Sequence, residues 1–272
     1  MPADEEYKEA ITAAVQQQME LYVIPEVRRR QAANQLPKPF DLHRFQILYS
    51  PKGGIAGIRL NYEVRGRLKV DVKDRPGSAV ITDLGPPTSA DALPPDQDAA
   101  QLSEPEVAAV LDFELPPEEA DLGHFSCIRY GGRGFVRFDF QYNRATAAMH
   151  ADAAAQFLGA ADWCRRSHAW SALVDNLFSA AELLAKAELL LLLEMRANTH
   201  GHIKNLYNLH FRDGKILDPH KSTLNSLSHL RTPARYLTKG SFGISEAEAS
   251  AWYERVSAML EHVRNSCRLN LH

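Results

Sequence analysis

Near Asn143 the hydrophobic period of the chain changes, and that change limits the folds open to it. Before this point apolar residues alternate with polar ones, as in half-buried strands. After it they recur every three or four residues, as on the buried face of a helix. Phe45, Ile47 and Tyr49 alternate, then Ile58, Leu60, Tyr62 and Val64, then Leu68, Val70 and Val72 beyond Gly66. Arg59, Asn61, Glu63 and Arg65 point the other way, which predicts an antiparallel sheet with one packed and one wet face. Spacing leaves open whether Gly66 is a tight turn or a bulge. Residues 79–84 and 107–115 are further strand candidates. The strongest hairpin signal pairs Phe125–Tyr130 with the segment through Val136, Phe138, Phe140 and Tyr142, around Gly131-Gly132-Arg133-Gly134. No Lys-Ser/Thr pair or helix follows those glycines, so they are a turn and not a phosphate loop.

A helix precedes the sheet. Ala10, Ile11, Ala14, Val15 and Leu21 follow helical spacing, Pro25 breaks or kinks it, and a second piece runs to Asn34. Residues 83–121 hold eleven acidic side chains, seven prolines and no Lys or Arg, the composition of a solvated loop or linker at least from Gly85 to Pro105. Residues 145–166 form an alanine-rich helix. A longer one follows from Trp170, with an apolar stripe through Leu173, Leu177, Ala181 and Leu184 and an expected end near Arg196. Its stretch Ala187–Leu193 is apolar on more than one face and hints at a dimer partner. Shorter helices are expected over 202–210 and from Asp218 to about Leu237. Ser245 and Glu248 form a capping box for the last helix, whose stripe runs through Ala249, Trp252, Val256, Met259 and Val263.

The expectation is an α+β chain of two domains: an antiparallel-sheet domain with a helix over residues 1–145, and an all-α helical bundle over 146–272. Charge supports the division. The first 150 residues carry 17 basic and 22 acidic side chains, net −5, and the rest carry 14 and 12, net +2. That asymmetry is too weak to imply nucleic-acid binding. Cys127, Cys164 and Cys267 are too few and too scattered for a disulfide framework or a zinc site, and reduced thiols in the cytoplasm are expected. The acidic opening is no secretory signal, and the apolar run Leu189–Leu193 is far shorter than the roughly 20 residues a membrane span needs.

A long helix, a shorter one, a helix ending in Leu230-Arg231-Thr232-Pro233-Ala234-Arg235-Tyr236, and an amphipathic final helix resemble the HEPN family (higher eukaryotes and prokaryotes nucleotide-binding) over about residues 168–266. The matching positions are Leu227, Leu230, Arg231, Ala234, Arg235 and Tyr236, then Ile244-Ser245 and the helix through Val263. The resemblance implies an up-and-down bundle, commonly dimeric. Many members are metal-independent ribonucleases whose signature is an Arg followed, after four to six residues, by a His. In this chain Tyr236 stands in the His position of the four-residue spacing. His titrates near pH 6.5 and Tyr near about 10, so Tyr is a poor general base at neutral pH.

The resemblance therefore implies a nucleotide- or RNA-binding module lined by Arg231, Arg235 and Tyr236, with Asp175 beside them. Arg231 and Arg235 lie four apart on one helix face, where they can clamp phosphate or pair with carboxylates such as Asp175 or Glu182. An active ribonuclease of toxin or phage-defence type is the alternative, its base coming from His202 or His229. A purely structural dimerising protein is the third reading. Arg196 and His202 also fit the ribonuclease spacing, but at the wrong place in the helix order. A metal site at His200, His202 and His210 is a weaker reading than solvated histidines. No cofactor and no metal are expected. The expected partners are a second copy of the chain, RNA or nucleotide, and a protein bound by the sheet domain.

Overall fold

The computed structural model describes residues 2–73, 79–85, 107–194, 199–236 and 242–267. The chain divides into two compact units, one running to Gln141 and the other beginning at Tyr142.

The first unit opens with a long helical segment: α1 (Pro2–Gln18), a π-helical turn (Met19–Val23) and α2 (Ile24–Ala32). Pro25 does not end the helix. It sits at the start of α2, directly after the wider turn, where a missing N–H costs little. The basic run of α2 is neutralised locally. Glu26 accepts hydrogen bonds from Arg29 at 2.7 and 2.8 Å and from Arg30 at 2.7 Å, and Arg30 also reaches Glu63 at 2.8 Å. The bonds from Arg29 lead in holding the Glu26 carboxyl at about 2, against an ordinary value of 4.5; burial opposes them and Arg30 adds to them. Because the folded value is depressed, this contribution to stability is complete above pH 4.5 and is lost as pH falls toward 2. A carboxyl NMR titration should place the Glu26 midpoint near 2, and Arg29→Gln should raise it. A wild-type midpoint above 4 would contradict the ion-paired geometry.

The strands are β1 (Phe45–Tyr49), β2 (Ile55–Leu60), β3 (Gly66–Val72), β4 (Ala79–Leu84), β5 (Val107–Glu114), β6 (Gly123–Tyr130) and β7 (Arg133–Asp139). They form two antiparallel sheets, ordered β2-β1-β6-β7 and β4-β3-β5. Gly131 and Gly132, at φ 55° and 77°, give the two left-handed positions that the tight hairpin between β6 and β7 needs.

Two expectations are corrected. The alternation from Ile58 to Val64 is not one strand. It stops at Asn61, which has a positive φ of 49° and whose side chain accepts from the His43 and Arg44 N–H groups and donates to the Asp41 carbonyl. That side chain competes with the ladder for backbone partners, so Asn61–Glu63 turns as a short 3-10 helix and the chain passes from one sheet to the other.

The four-stranded sheet is also not wet on its second face. Phe45, Ile47 and Phe125 pack against the helical segment through Val23, while Ile128 and Tyr130 pack with Leu68, Val70 and Phe113 of the three-stranded sheet. The polar alternation misleads because Gln46 and Ser126 are buried and satisfied. They face each other across β1 and β6, with Gln46 donating to Ser126 Oγ at 3.2 Å and to the Arg65 carbonyl at 2.9 Å.

Among the described residues the second unit holds five helices: α3 (Arg144–Arg166), α4 (Trp170–Leu191), α5 (His200–Arg212), α6 (Asp218–Tyr236) and α7 (Glu246–Cys267). A small-residue face of α3, Ala147, Ala151, Ala154, Leu158 and Ala161, is buried in one core with α4. The capping box closes as expected, with Ser245 N–H donating to Glu248 at 2.9 Å and Glu248 N–H to Ser245 Oγ at 3.2 Å. α4 ends earlier than expected. Leu193 takes φ 65°, and the N–H groups of Glu194 and Leu193 return to the carbonyls of Leu189 and Leu190, a left-handed stop usually made by glycine. The apolar residues around the end of α4 bury Ala187, Leu189 and Leu190 inside this unit, so their distribution marks α4 as its central helix. The acidic segment 86–106 and the loop 237–241 lie outside the described residues.

Candidate functional site

The residues singled out in α6 meet α4. Pro233 does not break α6, which runs to Tyr236, so Arg231 and Arg235 stay on one face and converge on Asp175. Arg235 grips the carboxylate with two bonds, Nε to Oδ1 at 2.7 Å and Nη2 to Oδ2 at 2.9 Å. Arg231 adds Nε to Oδ1 at 3.1 Å. Burial alone would push the Asp175 carboxyl up; the hydrogen bonds and charges of Arg235 and Arg231 outweigh it and hold the carboxyl below its ordinary value. The clasp thus persists as pH drops below the usual carboxylate range and is lost only as pH falls through the lowered value.

The clasp is only partly closed. Arg231 is largely covered, with its guanidinium carbon 4.4 Å from the Phe178 ring centroid. Arg235 is 44% exposed along its side chain. Tyr236 is 68% exposed. One carboxylate answers two guanidiniums, leaving a net positive charge beside an exposed aromatic ring. Asn176 takes no part; it donates to the Ala172 carbonyl of its own helix at 2.8 Å.

The candidate bases His202 and His229 are both exposed, and the site does not recruit them. His202 engages Thr199 through its backbone N–H at the start of α5. His229 precedes Arg231 by two residues, about 200° around the helix. Arg196, the other half of the alternative spacing, lies outside the described residues.

One histidine reaches the same aromatic ring as Arg231: His200. Its ring lies 6.0 Å, centroid to centroid, from Phe178, the same ring that Arg231 covers. Its Nδ1 is bonded to Glu182, one of the two carboxylates named as alternative partners for the arginines. Phe178, Glu182, His200, Lys204, Leu224 and Ser228 line an open cleft of about 100 Å³.

The histidines of α5 do not gather into a metal site, since His200 pairs with Glu182 and His210 with Glu194. Sequence reasoning missed the regularity behind this. Three glutamates six residues apart, Glu182, Glu188 and Glu194, each receive a histidine from another helix, Glu188 taking His220 of α6. The available signal was Glu188, a carboxylate within an apolar helical stretch, which has to be paired if it is buried.

No helix among the described residues is long and apolar enough to cross a membrane. No curated protein and no solved structure gives a significant match to the chain. Residues 147–266 match the family model for the HEPN domain, starting some twenty residues earlier than the sequence motifs suggested and so taking in α3. The order of helices, the convergence of α6 on α4 and this match agree: the C-terminal helical unit of the chain is a HEPN domain.

Proposed function

We propose that this chain is a dimeric HEPN-type module that binds nucleotide or RNA at the face made by Arg231, Arg235 and Tyr236, and that it does not cleave what it binds. The observation carrying this reading is the half-open arginine clasp. Asp175 orients both guanidiniums, but occupies only the Nε of Arg231 and the Nε and Nη2 of Arg235. The other N–H donors suit phosphate oxygens, and arginine binds phosphate in a planar, two-pronged manner. Tyr236 offers a ring for a base to stack on, a contact tolerant of sequence. A tyrosine in the position of the catalytic histidine leaves no general base on the clasp. Dimerisation follows the habit of HEPN domains, and the sheet unit is free to recognise a protein partner.

Binding of a fluorescent single-stranded RNA tests the reading at low and at physiological salt. Arg231→Ala combined with Arg235→Ala should weaken binding about tenfold or more and flatten its salt dependence. Asp175→Asn should tighten binding, because it removes the anion that competes with phosphate. Equal affinity of wild type and the double variant sinks the proposal, and a dimer with no affinity for RNA or nucleotide favours a structural role.

The second reading, a ribonuclease, has one specific observation in its favour. The Glu182–His200 pair stands against Phe178, on which Arg231 also rests. A carboxylate that fixes one imidazole nitrogen leaves the other to take a proton from a ribose 2′-hydroxyl. Degradation of RNA by wild type and its loss in His200→Ala would replace the binding-only reading by this one; no cleavage by wild type removes it.

A further inference from the structure

Where α4, α5, α6 and α7 come together, three buried polar side chains meet one that reaches solvent. Glu188 of α4 and His220 of α6 are both nearly buried, their side chains 7% exposed. His220 Nδ1 lies 2.8 Å from Glu188 Oε1. On the same oxygen converges His262 of α7, with Nε2 at 3.6 Å. The two imidazole rings meet edge to face with centroids 4.9 Å apart. The other carboxylate oxygen, Oε2, accepts the Tyr207 hydroxyl of α5. Burial, with the neighbouring carboxylate, pushes the Tyr207 hydroxyl far up, so it remains a proton donor.

We infer that Glu188, His220 and His262 form a binding site for one divalent transition-metal ion, zinc by the chemistry of its donors. One ligand atom from each residue lies within 4.8 Å of the others. Ligands about 2.0–2.1 Å from a tetrahedral zinc stand about 3.4 Å from one another. Two of the three separations, 2.8 and 3.6 Å, bracket that spacing, and the ligand atoms of all three residues lie within 4.8 Å of one another, so a small inward movement of the imidazoles admits the ion. Two imidazoles and one carboxylate suit zinc, whereas magnesium and calcium favour all-oxygen sets.

The surroundings also match a metal centre. Tyr207 holds the distal carboxylate oxygen, the kind of outer contact that orients a ligating carboxylate. His262 is 45% exposed, which gives the ion a path from solvent and leaves the fourth position to water. Zinc takes the Nδ1 lone pair of a neutral His220 imidazole that carries its one proton on Nε2, in place of the hydrogen bond between Nδ1 and Glu188. The site uses none of the side chains of the Arg231–Arg235 clasp.

Isothermal titration of untagged, metal-stripped protein with zinc chloride tests the inference, paired with absorption spectra of the cobalt(II)-loaded protein. Wild type should bind one equivalent saturably, give cobalt bands of a four- or five-coordinate site, and melt at higher temperature with zinc than without. His262→Ala changes a half-exposed residue and should weaken binding more than tenfold while keeping the helical circular-dichroism signal. His262→Asn should do the same, so the loss is not an unfolding effect. Tyr207→Phe should weaken binding about tenfold. Changing His202 and His229 together to Ala should leave the isotherm unaltered. The inference is overturned if wild type takes up no zinc saturably, or if the equivalent it binds survives in both His262 variants.

Discussion

Replacing Gly66 with alanine should destabilise the sheet unit by about 2 to 3 kcal/mol, the cost of overpacking at a site that cannot relax. Gly66 begins β3, the middle strand of the three-stranded sheet, and has no left-handed φ to explain its being glycine. The reason is proximity. A methyl group there would run into the Phe113 ring and come within 2.7 Å of the Glu114 carbonyl oxygen. Backbone cannot swing aside, and Phe113 is itself buried and set edge-on against His124. The three tryptophans, Trp163, Trp170 and Trp252, all belong to the helical unit. Urea unfolding of Gly66→Ala should therefore lower the midpoint of a transition seen by strand circular dichroism and leave the tryptophan transition in place. A shift confined to the tryptophan signal would refute the assignment.

Glu188→Ala should produce the largest loss in the helical unit, about 3 to 5 kcal/mol, the usual range for removing one partner from a buried charged pair. The carboxylate joins Tyr207, His220 and His262, donors from three different helices. Truncating it leaves the buried Tyr207 hydroxyl and His220 imidazole without their acceptor and opens a cavity among them. Glu188→Gln, which keeps the shape and one acceptor oxygen, should cost clearly less. Tryptophan fluorescence is the readout. A Glu188→Ala variant within 1 kcal/mol of wild type would mean that the network adds nothing to folding.

These two positions also show what could be read from the letters and what could not. Gly66 was legible as special but not in kind, because a turn, a bulge and a close approach leave the same glycine in a strand pattern. Glu188 was legible only as the edge of an apolar run; its partners lie 19, 32 and 74 residues further on, and periodicity carries no information about such distances. The helices of the second unit and the capping box at Ser245 were readable because local spacing dictates them. The two-sheet arrangement was not, since one asparagine with a positive φ divides a continuous alternation. At the candidate site, the pairing of Asp175 with Arg231 and Arg235 was among the alternatives because an arginine on an inward helix face needs an anion. The pairing of Glu182 with His200 was missed, as no helical spacing connects them.

Pro233 lacks the N–H that would close the helical bond to the His229 carbonyl, so α6 loses one rung just before its end. Arg231 and Arg235 stand on either side of that gap, and both are tied across to α4 through Asp175. The final turn of α6 is thus fastened from outside as much as from within. An anion that draws the guanidiniums away from Asp175 undoes that fastening as it binds. Under the proposed binding function, occupancy of the clasp and loosening of the helix end would be one coupled event, readable as faster amide exchange at Ala234, Arg235 and Tyr236 when RNA is added.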